Sequence, residues 1–373
     1  MERIYLDYNA STPIASEVKA VVQDLLDREF GNPSAHHWAS TGAREIIEAA
    51  HNDVANLLGC SADEVVLTSG GSESINHALK GAFFARRSDR RQIITTRIEH
   101  PAVLSTCAFL ERLGAEITYL PVDRTGKLVQ DVVQAAISDR TLLLSLAHAN
   151  GEVGTIQNIG AVAEIVHSKG GLLHVDAAQS AGKIEVDIDK LGADLLSIAG
   201  HKMYAPKGVG ALYIRRSVSI EPLVHGAGHQ SGRRAGTESA LLAAALGTAS
   251  RLAMDLSIMQ RVRQLRDNLF SRLQEALPAG VQLNGHPDQR LPNTLNVSLL
   301  GQIGSDLLAR ATSLAATTGS ACHEGRHEMS PVLAAMGIPE PIGLGAIRFS
   351  LGRSTTEDEI AAVPGLLAKA ITR

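Results

Sequence analysis

From about residue 15 to residue 250, short apolar runs rich in branched side chains alternate with stretches whose apolar residues return every three to four positions. The runs cover residues 65–68, 92–95, 116–120, 142–146, 172–175, 195–199 and 209–214, and each reads as a short buried strand. Helical periodicity is clearest over 16–28, 43–58, 73–84, 101–113 and 159–169. Such alternation is the mark of βαβ units, and it predicts an α/β fold with a large, mostly parallel seven-stranded sheet. An alanine- and leucine-rich helix follows Thr237-Glu238-Ser239, and a charged one runs over 259–277. After these the pattern changes: 295–299 and 346–351 look like strands of a separate small sheet. The expected division is a large domain over 15–250 and a smaller α+β domain made of 1–14 and 251–373.

A chain of 373 residues exceeds what one core usually supports, which fits two domains sharing a cleft. A content of 45% apolar and 20% charged residues is ordinary for a soluble protein. The net charge of −4 leaves no footprint for nucleic acid or an anionic membrane, and 3% aromatic residues argue against a base-stacking surface. The N-terminus lacks a basic stretch followed by an apolar core, and no run approaches the roughly 20 apolar residues of a membrane span. A cytoplasmic protein is expected. Cys60, Cys107 and Cys322 are too few and too odd in number for a disulfide framework and suit a reducing compartment.

Candidate chemistry centres on His174-Val175-Asp176-Ala177-Ala178-Gln179 and, beyond the next strand, Gly200-His201-Lys202. A pyridoxal 5′-phosphate (PLP) site needs an acid against the pyridine nitrogen and a lysine to hold the aldehyde as a Schiff base. Asp176 and Lys202 fit, each delivered at the C-terminal end of a strand, where α/β sheets bind ligands. Ser69-Gly70-Gly71-Ser72 opens a helix after a strand and offers backbone N–H groups to a phosphate, although an ordinary helix cap explains Ser72 as well. His100, before Pro101, suits either stacking on a flat ring and exchanging protons or a plain helix entry. Cys322 lies in 317–328, a polar stretch with neither helical nor strand period that reads as a mobile loop. Among His323, Arg326 and His327 its thiol would be activated as a nucleophile, whereas Cys60 and Cys107 read as inert. A zinc site there has at most three ligands and no paired-cysteine spacing, so no metal is expected. Of Arg348 and Arg353, which bracket a strand, Arg353 is the expected anchor for a substrate carboxylate.

Together these residues resemble the cysteine desulfurase and selenocysteine lyase group, in the class V aminotransferase branch of fold type I PLP enzymes. The resemblance runs nearly end to end, from Tyr5-Leu6-Asp7-Tyr8-Asn9-Ala10-Ser11-Thr12-Pro13 through Gly31-Asn32-Pro33-Ser34 to Gly352-Arg353-Ser354-Thr355-Thr356. It implies that Lys202 carries the cofactor, Asp176 partners the pyridine nitrogen, Gln179 donates to the ring's phenolic oxygen and His100 stacks on the ring. It also implies that Gly71, Ser72 and His201 serve the phosphate, that Asn150 helps hold substrate, and that Thr237 reaches the phosphate of a neighbouring subunit in a homodimer. Ala199 stands where desulfurases usually carry serine, removing a hydroxyl from the phosphate shell. Gly151 stands where they tend to carry asparagine, leaving that contact unfilled.

What the resemblance implies for activity is desulfuration of L-cysteine to L-alanine. Lys202, with His100 beside it, moves the α-proton; the Cys322 thiolate attacks the substrate sulfur, and a Cys322 persulfide carries it to an acceptor protein. Gly319-Ser320-Ala321-Cys322 is similar to long-loop desulfurases that serve iron–sulfur assembly and tRNA thiolation. Ala199, Ala321-Cys322-His323 and Ser330-Pro331-Val332-Leu333 lean instead toward selenocysteine lyases, acting on L-selenocysteine. Two other readings are a PLP C–S lyase releasing pyruvate and a non-catalytic PLP-binding partner protein.

Overall fold

The computed structural model describes residues 3–85, 89–277, 280–319, 322–323 and 326–372. Seven strands form the main sheet: β1 (Val65–Thr68), β2 (Gln92–Thr96), β3 (Glu116–Leu120), β4 (Thr141–Ala147), β5 (Leu172–Asp176), β6 (Leu195–Ala199) and β7 (Gly210–Ile214). They stand in the order β1-β7-β6-β5-β4-β2-β3. β7 runs antiparallel to both neighbours, and the other adjacent pairs are parallel. Parallel neighbours need a crossover, whereas β6 returns directly into β7 through residues 200–209. Lys202 sits on that return.

Alternate residues of each strand feed different cores, as the period of two requires. Val65, Ile94, Leu144, Leu173 and Leu196 join a cluster with Val18 of α1 (Ser16–Arg28), Val54 of α2 (Thr41–Leu58) and Leu246. Val66, Ile93, Leu143, Leu172 and Leu195 point the other way. They pack with Ile75 and Leu79 of α3 (Gly71–Ala85) and Val103 and Leu110 of α4 (Pro101–Glu111). Leu172, His174 and Asp176 therefore share the α3/α4 face. His174, fully buried, hydrogen-bonds Ser145 at 2.8 Å and Ser197 at 2.9 Å, tying β4, β5 and β6 together beneath Asp176, and burial pushes its pKa down to about 3.

A further helix, α5 (Gln130–Ala136), was not signalled by the sequence: only Val133 of it is buried, so no apolar stripe marks it. Next come α6 (Ile159–Ser168), α7 (Ala240–Met254) and α8 (Ile258–Ala276). The second sheet is antiparallel, with β8 (Val281–Asn284), β9 (Thr294–Leu299) and, later in the chain, β12 (Ala346–Ser350) in the order β12-β9-β8. Between them lie β10 (Cys322–His323) and β11 (Arg326–His327), paired antiparallel, where no strand period is legible. A separate core joins Val297 and Phe349 to Leu269 of α8, to Leu367 of α9 (Glu357–Ile371), and to Ile4 and Leu6. No single helix among the described residues is long and apolar enough to cross a membrane.

Candidate active site

A cavity of about 580 Å³ opens where the parallel strands end, with Asn9, Ser72, His100, Asp176, Gln179, Lys202 and Arg348 in its lining. That volume suits a cofactor-sized ligand. β5 delivers Asp176, 7% exposed, whose Oδ1 accepts from the Ala178 N–H at 2.9 Å. Burial pushes its carboxyl pKa up, against the pull of that N–H and of His100 and Lys202. The Lys202 amine donates to the carbonyls of Asn9 and, at 2.8 Å, Ala10. Burial and the nearby Arg348 lower its pKa to about 8, with Asp7 and Asp176 opposing.

His100 caps α4, with Pro101 at the first helical position. Its Nδ1 accepts from the Ala102 N–H at 3.1 Å, so in the neutral ring the proton sits on Nε2. The turn that carries His100 is clamped twice. Glu99, fully buried, holds Thr96 Oγ1 at 2.6 Å and the Ala147 N–H at 2.8 Å. Asn150 donates to the Ile98 carbonyl at 2.9 Å while its Oδ1 accepts from the Glu152 and Val153 N–H groups. Asn150 thus lines the cavity with its side chain already engaged in holding the turn.

Residues 69–72 at the N-terminus of α3 line the cavity beside Ala199 and His201. Glu73 accepts from the Ser69 N–H at 2.8 Å and pairs with Arg234 at 2.9 Å, fastening the 225–239 segment to this end of the helix. Thr237 on that segment is exposed and does not line the cavity.

One expectation changes. Arg353 turns away from the cavity: it donates to the Leu252 carbonyl at 2.6 Å and lies over the Tyr204 ring at 5.3 Å, because the chain bends back toward α7 after β12. Arg348, on β12 itself, enters the cavity and donates to Asp7 at 2.7 Å and to the Gly151 carbonyl at 2.9 Å. Gln179 lies within 3.0–3.3 Å of where a Cβ at Gly151 would stand.

Residues 320–321 and 324–325, and the side chains of Cys322, His323 and Arg326, lie outside the described residues. Cys322 pairs with His327 in the β10–β11 ladder. The His327 ring is held by Ser305 at 3.1 Å, with Asp306 at 3.6 Å. Burial pushes the thiols of Cys60 and Cys107 up to about 12, away from the thiolate form. Among the described residues no group of His, Cys, Asp and Glu side chains is placed to hold a metal ion.

The donor set fits PLP: a buried carboxylate at a strand end, an amine of lowered pKa, a cavity-facing histidine and a helix N-terminus for the phosphate. Asn9, Glu73, Glu99 and Lys183 escaped sequence reasoning. Asn9 lies within the run 5–13, and Glu73 and Glu99 stand beside Ser72 and His100; Lys183 alone carried no signal.

The aminotransferase class-V family model matches residues 4–363. The cysteine desulfurase IscS of Dictyoglomus turgidum is 42% identical over 99% of this chain and 95% of its own length. A solved NifS-like protein superposes with a TM-score of 0.93 at 35% identity, covering 99% of each chain. SspA in complex with cysteine superposes with a TM-score of 0.84 at 34% identity, over 95% of this chain and 100% of that one.

Proposed function

The chain belongs to the aminotransferase class-V family and is a PLP-dependent cysteine desulfurase, and from that premise we propose that it moves the sulfur of L-cysteine to Cys322, releases L-alanine and hands the sulfur to an acceptor protein. The observation that carries the reading is the convergence of Asp176, Lys202, His100 and Arg348 on one cavity. When bound, the cofactor supplies an aldehyde for the substrate amine and a ring that takes up the electron pair left at Cα. Asp176 holds the proton on the pyridine nitrogen. Lys202 would hold the cofactor aldehyde and, once free, take the Cα proton on Nζ, an atom whose lowered pKa suits a base near neutral pH. His100 presents its Nε2 proton beside it. Arg348 receives the substrate carboxylate in place of Arg353. The Cys322 thiolate attacks the substrate sulfur; the Cβ–S bond breaks, an S–S bond forms, Cβ keeps the electron pair and takes up a proton, and Cα regains the proton held by Lys202 to give alanine.

The exposed Thr237 serves the cofactor phosphate of a second copy, which makes the working unit a homodimer. The acceptor belongs to iron–sulfur assembly or tRNA thiolation, and the setting is the cytoplasm. Residues 15–250 form the cofactor domain, with 1–14 and 251–373 as the small domain that carries Cys322.

The test is alanine release from PLP-loaded protein given L-cysteine or L-selenocysteine with reductant, beside Cys322→Ala. Cysteine-dependent alanine lost in the variant is the expected result. Alanine from selenocysteine alone makes it a selenocysteine lyase, and pyruvate in place of alanine a C–S lyase. Bound cofactor without turnover overturns the enzymatic reading.

A further inference from the structure

Lys183 is 7% exposed, and its amine donates to two amide oxygens, Gln179 Oε1 at 2.8 Å and Asn9 Oδ1 at 3.1 Å. Lysine is seldom buried without an anionic partner, because a desolvated ammonium is costly to keep. Burial, with Lys202 and Arg348 nearby, holds its pKa well below the ordinary lysine value, and its N–H groups are spent on the two amide oxygens. That settles which way the Gln179 amide faces. With Oε1 against Lys183, Nε2 turns to the Asn9 carbonyl at 3.0 Å, the carbonyl that also accepts from Lys202. The flipped amide would set oxygen against that carbonyl oxygen and lose the Lys183 bond. From the opposite side, Gly151 leaves room for this pose: a Cβ there would stand 3.0 Å from Gln179 Nε2 and 3.1 Å from its Cγ.

We propose that Lys183 and Gly151 are positioning residues that hold Gln179 in one amide orientation, with Nε2 directed to the Asn9 carbonyl and its second N–H free for the phenolic oxygen of the cofactor. The inference rests on the reading of the cavity as a PLP site. It gives glycine at position 151 a role: the glutamine occupies the space that a side chain there would take, and the buried amine fixes it.

The test uses full-length Lys183→Met and Gly151→Ala, each made in the Gln179 and Gln179→Ala backgrounds. For each, the visible absorption band of bound PLP at fixed pH is recorded and the PLP dissociation constant is measured by equilibrium dialysis. Both substitutions are expected to shift the band and weaken PLP binding by about 2- to 12-fold, the size of one neutral hydrogen bond. Neither should do so once Gln179 is alanine. An unchanged band and affinity, or an equal change in the Gln179→Ala background, overturns the proposal. If Lys183→Met does not fold, Gly151→Ala decides, since it acts on the same amide from the other side. Failure of the desulfurase reading shows separately, as a PLP-loaded wild type that makes no alanine from L-cysteine.

Discussion

Arg348 is bonded to Asp7 at 2.7 Å, joining β12 to the N-terminal segment across 341 positions of sequence. The guanidinium that faces the cavity is thereby pre-oriented for a carboxylate. Arg348→Ala is expected to lower kcat/KM for L-cysteine by about 10- to 150-fold, the size of a hydrogen bond to a charged group, and mainly through KM. Arg353→Ala should leave KM within about 2-fold, because that side chain is spent on Leu252 and Tyr204. Initial-rate kinetics on the two variants separate these roles.

Glu99 titrates abnormally, and folding stability should show it. Burial, reinforced by Asp176, lifts its pKa to about 8 against the pull of Thr96 and Ala147. The folded state therefore holds a proton that the unfolded chain releases near its ordinary value of 4.5, and the stability tied to that proton falls as pH rises toward 8. Glu99→Gln is neutral at every pH and nearly isosteric. Its stability relative to wild type should rise between pH 5 and pH 8 by on the order of 2 kcal/mol, given ~1.4 kcal/mol per unit of pKa displacement and partial relaxation. Urea unfolding of the apoproteins at the two pH values checks this; a constant difference would mean that Glu99 is ionised throughout.

Ala199 lines the cavity next to the N-terminus of α3, so close that a Cβ on Gly71 would stand 3.2 Å from its methyl. A hydroxyl there adds one donor beside the phosphate site. Ala199→Ser should tighten PLP binding by about 2- to 12-fold, measured by equilibrium dialysis. Looser binding would show that the space is already full.

The Glu73–Arg234 pair is largely buried, with side-chain exposures of 11% and 25%. Breaking it strands a charge and frees the 225–239 segment from the end of α3. Glu73→Gln should weaken PLP binding by about 5- to 150-fold, the range for leaving a buried partner unsatisfied, and speed proteolytic cleavage within 225–239. Limited proteolysis with mass spectrometry reads the second effect.

The strands were legible because buried strands of a parallel sheet are apolar at nearly every position, and the sequence around Asp176 and Lys202 marks strand ends. His100 was legible through Pro101. What stayed hidden depends on partners far along the chain. Nothing near Lys183 distinguishes it from a surface lysine, since its acceptors are Gln179 and, from the other end of the sequence, Asn9. The choice between Arg348 and Arg353 turned on which way the chain bends after β12, and local spacing carries no trace of that bend.

Asn9 accepts from Lys202, Gln179, Lys183 and Asn293, and donates to Thr294, Gly151 and, through its own N–H, Ser350. Its partners come from positions scattered between 151 and 350. All seven strands of the large sheet are synthesised before Asn293, Thr294 and Ser350, so Asn9, an acceptor of Lys202, gains those three partners last. A chain cut short before Ser350 would leave the Asn9 N–H without its acceptor on the last strand, while Thr294 of β9 still holds the side chain.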